Sequence, residues 1–243
     1  MKNNQLQHID GILLLDKPIG ISSNQALQRV KRLFRAKKAG HAGTLDVLAS
    51  GMLVICFGKA TKMSKYLLGA DKYYRFTAKL GEKTTTADSE GEVLETRSTE
   101  HVTQELIESI LAKFRGEISQ IPSMYSALKY KGQPLYKLAR QGITIERKPR
   151  QVVIHELKLL AWSKTQLSLD VRCSKGTYVR NLAEDIGEAL GCGAHVIALR
   201  RLAVGNFTAA QMVTIEKLQE LRDVDAIRIH DYLVKIEAMH NMN

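Results

Sequence analysis

An α+β domain is the fold class this sequence predicts, on three observations. Apolar runs of strand length recur along the chain, at 11–15, 52–57, 72–80, 152–162, 166–173 and 195–204. Between them stand segments whose apolar residues fall three and four apart, the spacing of a helix face. The run at 166–173 alternates strictly, with Leu167, Leu169, Val171 and Cys173 on one side and Ser168, Asp170 and Arg172 on the other, as in a sheet with one buried face. With 44% hydrophobic residues in 243, the chain can bury one large core or a core with an insertion.

The first strand, 11–15, stops at Asp16, Lys17 and Pro18, a turn signal. Ser22 or Ser23 caps the next helix, whose Ala26, Leu27, Val30, Leu33 and Phe34 share one face. Arg29, Lys31, Arg32, Arg35, Lys37 and Lys38 crowd its other surface and its exit, either as a solvated face or as a rim for phosphate groups. The stretch 40–51, Gly-His-Ala-Gly-Thr-Leu-Asp-Val-Leu-Ala-Ser-Gly, follows at once. Its three glycines enclose one histidine and one carboxylate, so the backbone either turns sharply or lets something approach closely. Asp46 is the chemical centre of that loop, although a carboxylate in such a turn is more often a cap than a catalyst. After strand 52–57, Gly58-Lys59 invites comparison with a phosphate-binding P-loop. The comparison fails, because Leu53 stands where that motif needs glycine and Ala60 where it needs serine or threonine. A helical segment then runs through Leu68.

Strand 72–80 carries Tyr73, Tyr74 and Phe76, and a polar loop over 81–91 follows it. Leu106, Ile107, Ile110, Leu111 and Phe114 mark a core-facing helix capped by Thr103 and ended by Gly116. From 121 to 150 the composition changes to Tyr125, Lys129, Tyr130, Lys131, Tyr136, Lys137 and Arg140, with three of the four prolines. Positive charge interleaved with rings suits a surface that grips a nucleic-acid backbone and stacks on bases; a basic insertion without a partner is the alternative. After strands 152–162 and 166–173, the run from Ser174 to Arg180 leads into a helix bearing Leu182, Ala183, Ile186 and Leu190, ended by Gly191 and Gly193. A helical tail begins near Thr214.

Lysine and arginine outnumber aspartate and glutamate by 36 to 25, a net charge of +11 that favours a polyanionic partner. No signal-peptide pattern and no apolar run of membrane-spanning length is present, so a soluble cytoplasmic protein is expected. Cys56, Cys173 and Cys192 are far apart, with no CxxC pair, which argues against a disulfide framework and against a zinc site.

Taken together, several separated motifs resemble the TruB-type tRNA pseudouridine-55 synthases. They are Leu13-Leu14-Leu15-Asp16-Lys17-Pro18, the 40–51 loop, Asp71-Lys72-Tyr73-Tyr74, Ile121-Pro122-Ser123-Met124-Tyr125-Ser126-Ala127, the run from Ser174 to Arg180, and Gly193-Ala194-His195-Val196-Ile197. The resemblance implies the pseudouridine synthase fold, a mixed, largely antiparallel curved sheet flanked by helices, with an RNA-gripping thumb that matches 121–150. It implies a catalytic domain over 1–213, a helical tail over 214–243 and no C-terminal PUA barrel. It also implies a monomer that isomerises one uridine in the T stem-loop of tRNA without cofactor or metal. Asp46 matches the essential aspartate of that family, which either attacks the anomeric carbon or removes a sugar proton. Arg180 matches the arginine that pairs with it, and Tyr74 the tyrosine that stacks on the target uracil. Tyr178 and Leu199 fall where the family lines the uracil pocket, and His41 matches a histidine that helps open the T loop. Two other readings compete: a non-catalytic tRNA-binding or tRNA-folding module, and a hydrolase with an aspartate nucleophile that would release free uracil.

The loop departs from the family pattern at Ala42 and Ser50, where threonine is usual, and at Val47, where proline follows the aspartate. Proline restricts its own backbone and that of the residue before it, so its absence predicts a loop less rigid before tRNA binds. Val47→Pro is therefore expected to match or exceed the unsubstituted chain in single-turnover pseudouridine formation; a clearly slower variant would refute the idea.

Overall fold

The computed structural model describes residues 5–225 and 227–235. Residues 236–243, which end the helical tail expected from the sequence, lie outside the described residues, as do 1–4. In chain order the fold begins with β1 (Gly11–Lys17), α1 (Ser23–Leu33), β2 (Ala39–Ala42), β3 (Ala49–Phe57), a 3-10 turn over Gly58–Met63 and α2 (Ser64–Gly69). It continues through β4 (Lys72–Leu80), β5 (Glu82–Thr84), β6 (Val93–Thr96), α3 (Gln104–Lys113), β7 (Gly116–Gln120), β8 (Lys129–Tyr130), β9 (Gln133–Pro134) and α4 (Leu135–Ala139). The last part comprises β10 (Arg150–Trp162), β11 (Gln166–Cys173), α5 (Val179–Ala189), β12 (Ala194–Val204), β13 (Phe207–Thr208), β14 (Val213–Thr214) and α6 (Ile215–Val224), then a 3-10 turn over Arg228–Tyr232.

The chain clusters into two compact units, one of Met1–Tyr74 with Leu199–Asn243, the other of Arg75–Ala198. In the first, the strands run in the order β14-β1-β3-β12, with β2 added to β3 and β13 to β12. β1–β3, β2–β3 and β12–β13 are antiparallel, while β1–β14 and β12–β3 are parallel. Ile12, Leu13, Leu14 and Leu15 of β1 are all buried, so both faces of this strand are covered, and each such side chain contributes about 1.5–3 kcal/mol of burial. One layer of this core gathers Ile12, Leu14, Met52, Val54, Leu67 and Phe207. In the second unit the order is β4-β11-β10-β7, with antiparallel β10–β11 and β10–β7, and β5–β6 forms a separate antiparallel pair. The mixed, largely antiparallel sheet with flanking helices agrees with the expected fold class.

Local chemistry sets the helix ends. Ser22, not Ser23, caps α1: its side chain accepts from Gln25 N while the Gln25 side chain accepts from Ser22 N, a reciprocal capping box. Thr103 caps α3 and Thr214 caps α6 through their hydroxyls. Lys72 folds back on the end of α2, its ammonium donating to the carbonyls of Leu67, Leu68 and Ala70 at 3.2, 2.8 and 2.5 Å. A cation at a helix C-terminus meets carbonyls that have no partner within the helix.

The structure corrects five expectations. β1 does not stop before Lys17; that lysine is fully buried, with its ammonium donating to the carbonyls of Pro18 and Ile21, both at 2.8 Å. The 40–51 loop is shorter than the glycines suggested, because Gly40, His41 and Ala42 pair with β3 and Gly51 lies within β3, leaving 43–48 as the connection. The polar loop 81–91 opens with strand β5. Phe114 ends α3, and Gly116, at φ +86°, starts β7 instead. The alternation in β11 breaks at Asp170, which is buried because Arg75 donates to both its carboxylate oxygens at 2.8 and 2.9 Å.

Gly51 sits at φ +95°, and a Cβ there would run into the backbone of Arg201 on the neighbouring β12. Both the conformation and the space exclude a side chain, and backbone cannot give way as a flexible side chain would. Gly51→Ala is expected to lower unfolding stability by about 2 kcal/mol or more, read as a lower urea midpoint at unchanged slope.

Candidate active site

The loop carrying Asp46 hangs between two antiparallel strands whose register runs from Ala39 opposite Phe57 to Ala42 opposite Val54. Gly43, at φ +82°, turns the chain out of β2. Leu45 and Leu48 are buried and anchor the connection, which leaves Asp46 half-buried and Val47 exposed between them. The buried Ser23 side chain pins the loop from α1: its hydroxyl donates to the Leu45 carbonyl at 2.9 Å and accepts from the Leu45 amide at 2.8 Å. The Gly20 amide donates to the Val47 carbonyl at 2.9 Å, and the Ala49 amide to that of Asp46 at 3.1 Å. Asp46 thus stands on a segment fixed by bonds from residues more than twenty positions away.

His41 lies on β2, with its Nδ1 buried and without a hydrogen-bond partner. Burial, and after it the positive charge of Arg201, hold its pKa below the usual 6.5, so the ring is neutral at pH 7. Tyr74 is half-buried near the start of β4, with the Arg201 guanidinium 6.0 Å from its ring centroid. Leu199, 7% exposed, sits on β12 opposite Ala49, the first residue of β3. The next residue, Arg200, donates to both carboxylate oxygens of Asp16 at 2.8 and 2.7 Å and to the Ser50 hydroxyl at 3.4 Å. The serine found where threonine is usual therefore keeps the hydroxyl that this arginine uses.

Tyr178 and Arg180 belong to the second unit. Tyr178 is the residue before α5, and the Gln120 side chain holds its backbone, accepting from the amide at 3.0 Å and donating to the carbonyl at 3.3 Å. Arg180 is 6% exposed in the first turn of α5. Its Nη1 donates to the Thr86 carbonyl at 3.0 Å and to Asp88 Oδ2 at 3.2 Å, and its Nη2 to the Tyr125 carbonyl at 2.8 Å. Asp88 is itself buried and accepts from the Thr86 hydroxyl and the Glu90 amide. Removing either member of such a buried pair strands a charge at about 3–5 kcal/mol.

Sequence reasoning missed Asp88, which it left in a polar loop, and Arg201, which it noted only as part of a strand. The signal for the first was a cluster of hydroxyls, Thr84, Thr85 and Thr86, just before a carboxylate. For the second it was two consecutive arginines in an apolar strand, one of which must face inward.

The basic stretch 121–150 has its own small core of Met124 with Leu135 and Leu138 from α4. Lys131 lies over the Tyr130 ring at 5.5 Å and Arg140 over that of Tyr136 at 5.7 Å. Among the described residues no cluster of side chains suited to a metal is present, and no helix is long and apolar enough to cross a membrane.

Residues 31–179 match the model of the TruB family pseudouridylate synthase (N terminal domain). The chain belongs to the TruB family. Residues 180–239 match a second model, the tRNA pseudouridylate synthase B C-terminal domain. The chain is 56% identical over 232 residues to a tRNA pseudouridine synthase B of Coxiella burnetii (strain Dugway 5J108-111), covering 95% of this chain and 75% of that relative. It is 54% identical over 232 residues to one from Nitrosococcus oceani, again covering 75% of the relative. Among solved structures, a Cbf5-Nop10-Gar1 complex superposes with a TM-score of 0.72 at 29% identity, over 93% of this chain and 59% of that one. An H/ACA RNP bound to a substrate RNA containing 2'-deoxyuridine gives 0.68 at 25% identity, over 93% and 58%.

The lowered His41 pKa has a consequence for stability. Because the unfolded chain binds a proton near pH 6.5 that the fold resists, this contribution is present above pH 6.5 and is lost as pH falls through the folded value. His41→Asn is expected to flatten the pH dependence of the urea midpoint between pH 7.5 and pH 5; an unchanged slope would refute the assignment.

Proposed function

We propose that this chain converts uridine 55 in the T loop of tRNA to pseudouridine, as a cytoplasmic monomer, with Asp46 as the catalytic group. The observation that carries this reading is Asp46 itself. In a chain of the TruB family, the carboxylate matching the family's aspartate stands half-buried on a loop held at Leu45 and Val47 by bonds from the N-terminal segment and α1. The bond from the ribose anomeric carbon to N1 breaks, the uracil turns, and the same carbon joins C5, after which C5 loses its proton and N1 carries one in its place. Asp46 serves either by attacking the anomeric carbon or by removing a sugar proton. Arg180 pairs with Asp46 in this reading and keeps it ionised.

Such chemistry needs the base out of its stack, at a cost of a few kcal/mol that pocket contacts must offset. Tyr74 stacks on the flipped uracil, Tyr178 and Leu199 line its pocket, and His41, neutral, fills space in the opened T loop. Charge supports an RNA partner: the net +11, the thumb-like stretch with its ring-covered cations, and a cleft lined by His8, Lys37, Lys38, Lys59 and Lys62 all offer contacts to phosphate.

Asp46→Asn separates this reading from a purely binding or folding role. Product formation on a T-loop transcript is expected to fall by about 10²- to 10⁴-fold or more, the scale of a lost general base, with tRNA affinity within about threefold. Unchanged pseudouridine formation would refute the assignment, and free uracil in the supernatant would point to the hydrolase.

A further inference from the structure

Arg201 stands on β12 two residues after Leu199 and is 2% exposed. Its side chain reaches both arms of the catalytic loop. Nε donates to the carbonyl of Met52, in β3 just after the loop, at 2.7 Å, and Nη2 to that of Gly43, where the loop begins, at 2.9 Å. The same guanidinium faces the ring of Tyr74 at 6.0 Å. Glycine serves both ends for different reasons: Gly43 turns the chain at φ +82°, and a Cβ on Gly51 would strike the Arg201 backbone.

Burying a guanidinium costs several kcal/mol unless its N–H groups are met, and a methionine or leucine would fill similar space without that cost. What an apolar residue cannot do is hold two carbonyls in one plane while presenting a flat face to a ring. Lysine cannot do it either, because its ammonium is a point charge without the planar fork. The guanidinium therefore ties together three elements that local sequence leaves independent: the start of the loop, the strand after it, and Tyr74.

We propose that Arg201 is a positioning residue for the isomerisation, fixing the loop that carries Asp46 and the ring of Tyr74 relative to one another without touching the uridine. This rests on the reading that Asp46 and Tyr74 act on a flipped uridine. A small misplacement of reacting groups is enough to cost about 10²-fold in rate.

Arg201→Lys and Arg201→Met in the full chain test it. Four quantities are measured: thermal unfolding, affinity for tRNA, single-turnover pseudouridine formation on a saturating T-loop transcript, and titration of the His41 ring by NMR. Both variants are expected to unfold cooperatively, to bind tRNA within about threefold and to lose about 10²-fold in single-turnover rate. His41 is expected to titrate higher in the methionine variant and to stay depressed in the lysine variant, since the Arg201 charge is one cause of its lowered pKa. A residue that merely stabilised the fold would not split rate from affinity. A rate within about threefold of the parent in either variant overturns the proposal. So does a loss of affinity that accounts for the loss of rate, an unmoved His41 titration in the methionine variant, or failure of both variants to fold. An unsubstituted chain that binds tRNA and makes no pseudouridine would instead overturn the isomerase reading.

Discussion

A guanidinium taken out of water must have its N–H groups met by the fold, and that requirement at Arg201 governs much of the first unit. Its acceptors are backbone carbonyls of Gly43 and Met52, so the strand ends that supply them have no freedom to shift without stranding a buried charge. Gly51 meets a separate, steric requirement beside it, since only a residue without a Cβ lets β3 lie against the Arg201 backbone. The glycines of the 40–51 stretch therefore have two distinct uses. Gly43 turns the chain, and Gly51 permits two strands to approach.

The second unit repeats the solution with different acceptors. Arg180 is also buried, but it shares its charge with Asp88 and donates as well to the carbonyls of Thr86 and Tyr125. A charged, hydrogen-bonded arginine is costly to bury and rarely improves on an apolar residue for stability alone. Its planar, preorganised fork is instead suited to holding groups at fixed distances. In the proposed reaction the chain's side chains must place a carboxylate and an aromatic ring around one flipped base, and fixed distances are what such chemistry demands of a fold.

Much of the architecture was legible in the sequence because local chemistry decides it. Strand 72–80 follows from its run of aromatic and apolar residues, α3 from its spacing and the Thr103 cap, and the strictly alternating 166–173 from its period of two. Three of the failures concern buried charges. Lys17 read as a turn residue, Asp170 as a solvent-facing one and Asp88 as part of a loop, yet all three are buried. The two aspartates are made tolerable by partners that local patterning does not announce: Arg75 lies ninety-five positions from Asp170, and Arg180 ninety-two from Asp88, whereas Lys17 turns its ammonium onto the nearby carbonyls of Pro18 and Ile21. Local patterning ranks a charge as exposed by default, and for the two aspartates tertiary contact reverses it. For the candidate site, resemblance alone proposes Asp46, Tyr74 and Arg180, whereas Arg201 came into view only with its acceptors.

The same reasoning bears on Val47. Proline acts locally, by narrowing the backbone of its own residue and the one before. The loop, however, is held from outside: Ser23 brackets Leu45 by donating and accepting, Gly20 holds the Val47 carbonyl, and Arg201 holds Gly43. Four hydrogen bonds from elsewhere in the fold, each worth about 0.5–1.5 kcal/mol net, exceed what a single proline contributes by restricting the unfolded chain, about 0.4–1 kcal/mol. A loop anchored this way tolerates valine beside the aspartate, because the constraint that proline would add is largely supplied already by Ser23, Gly20 and Arg201.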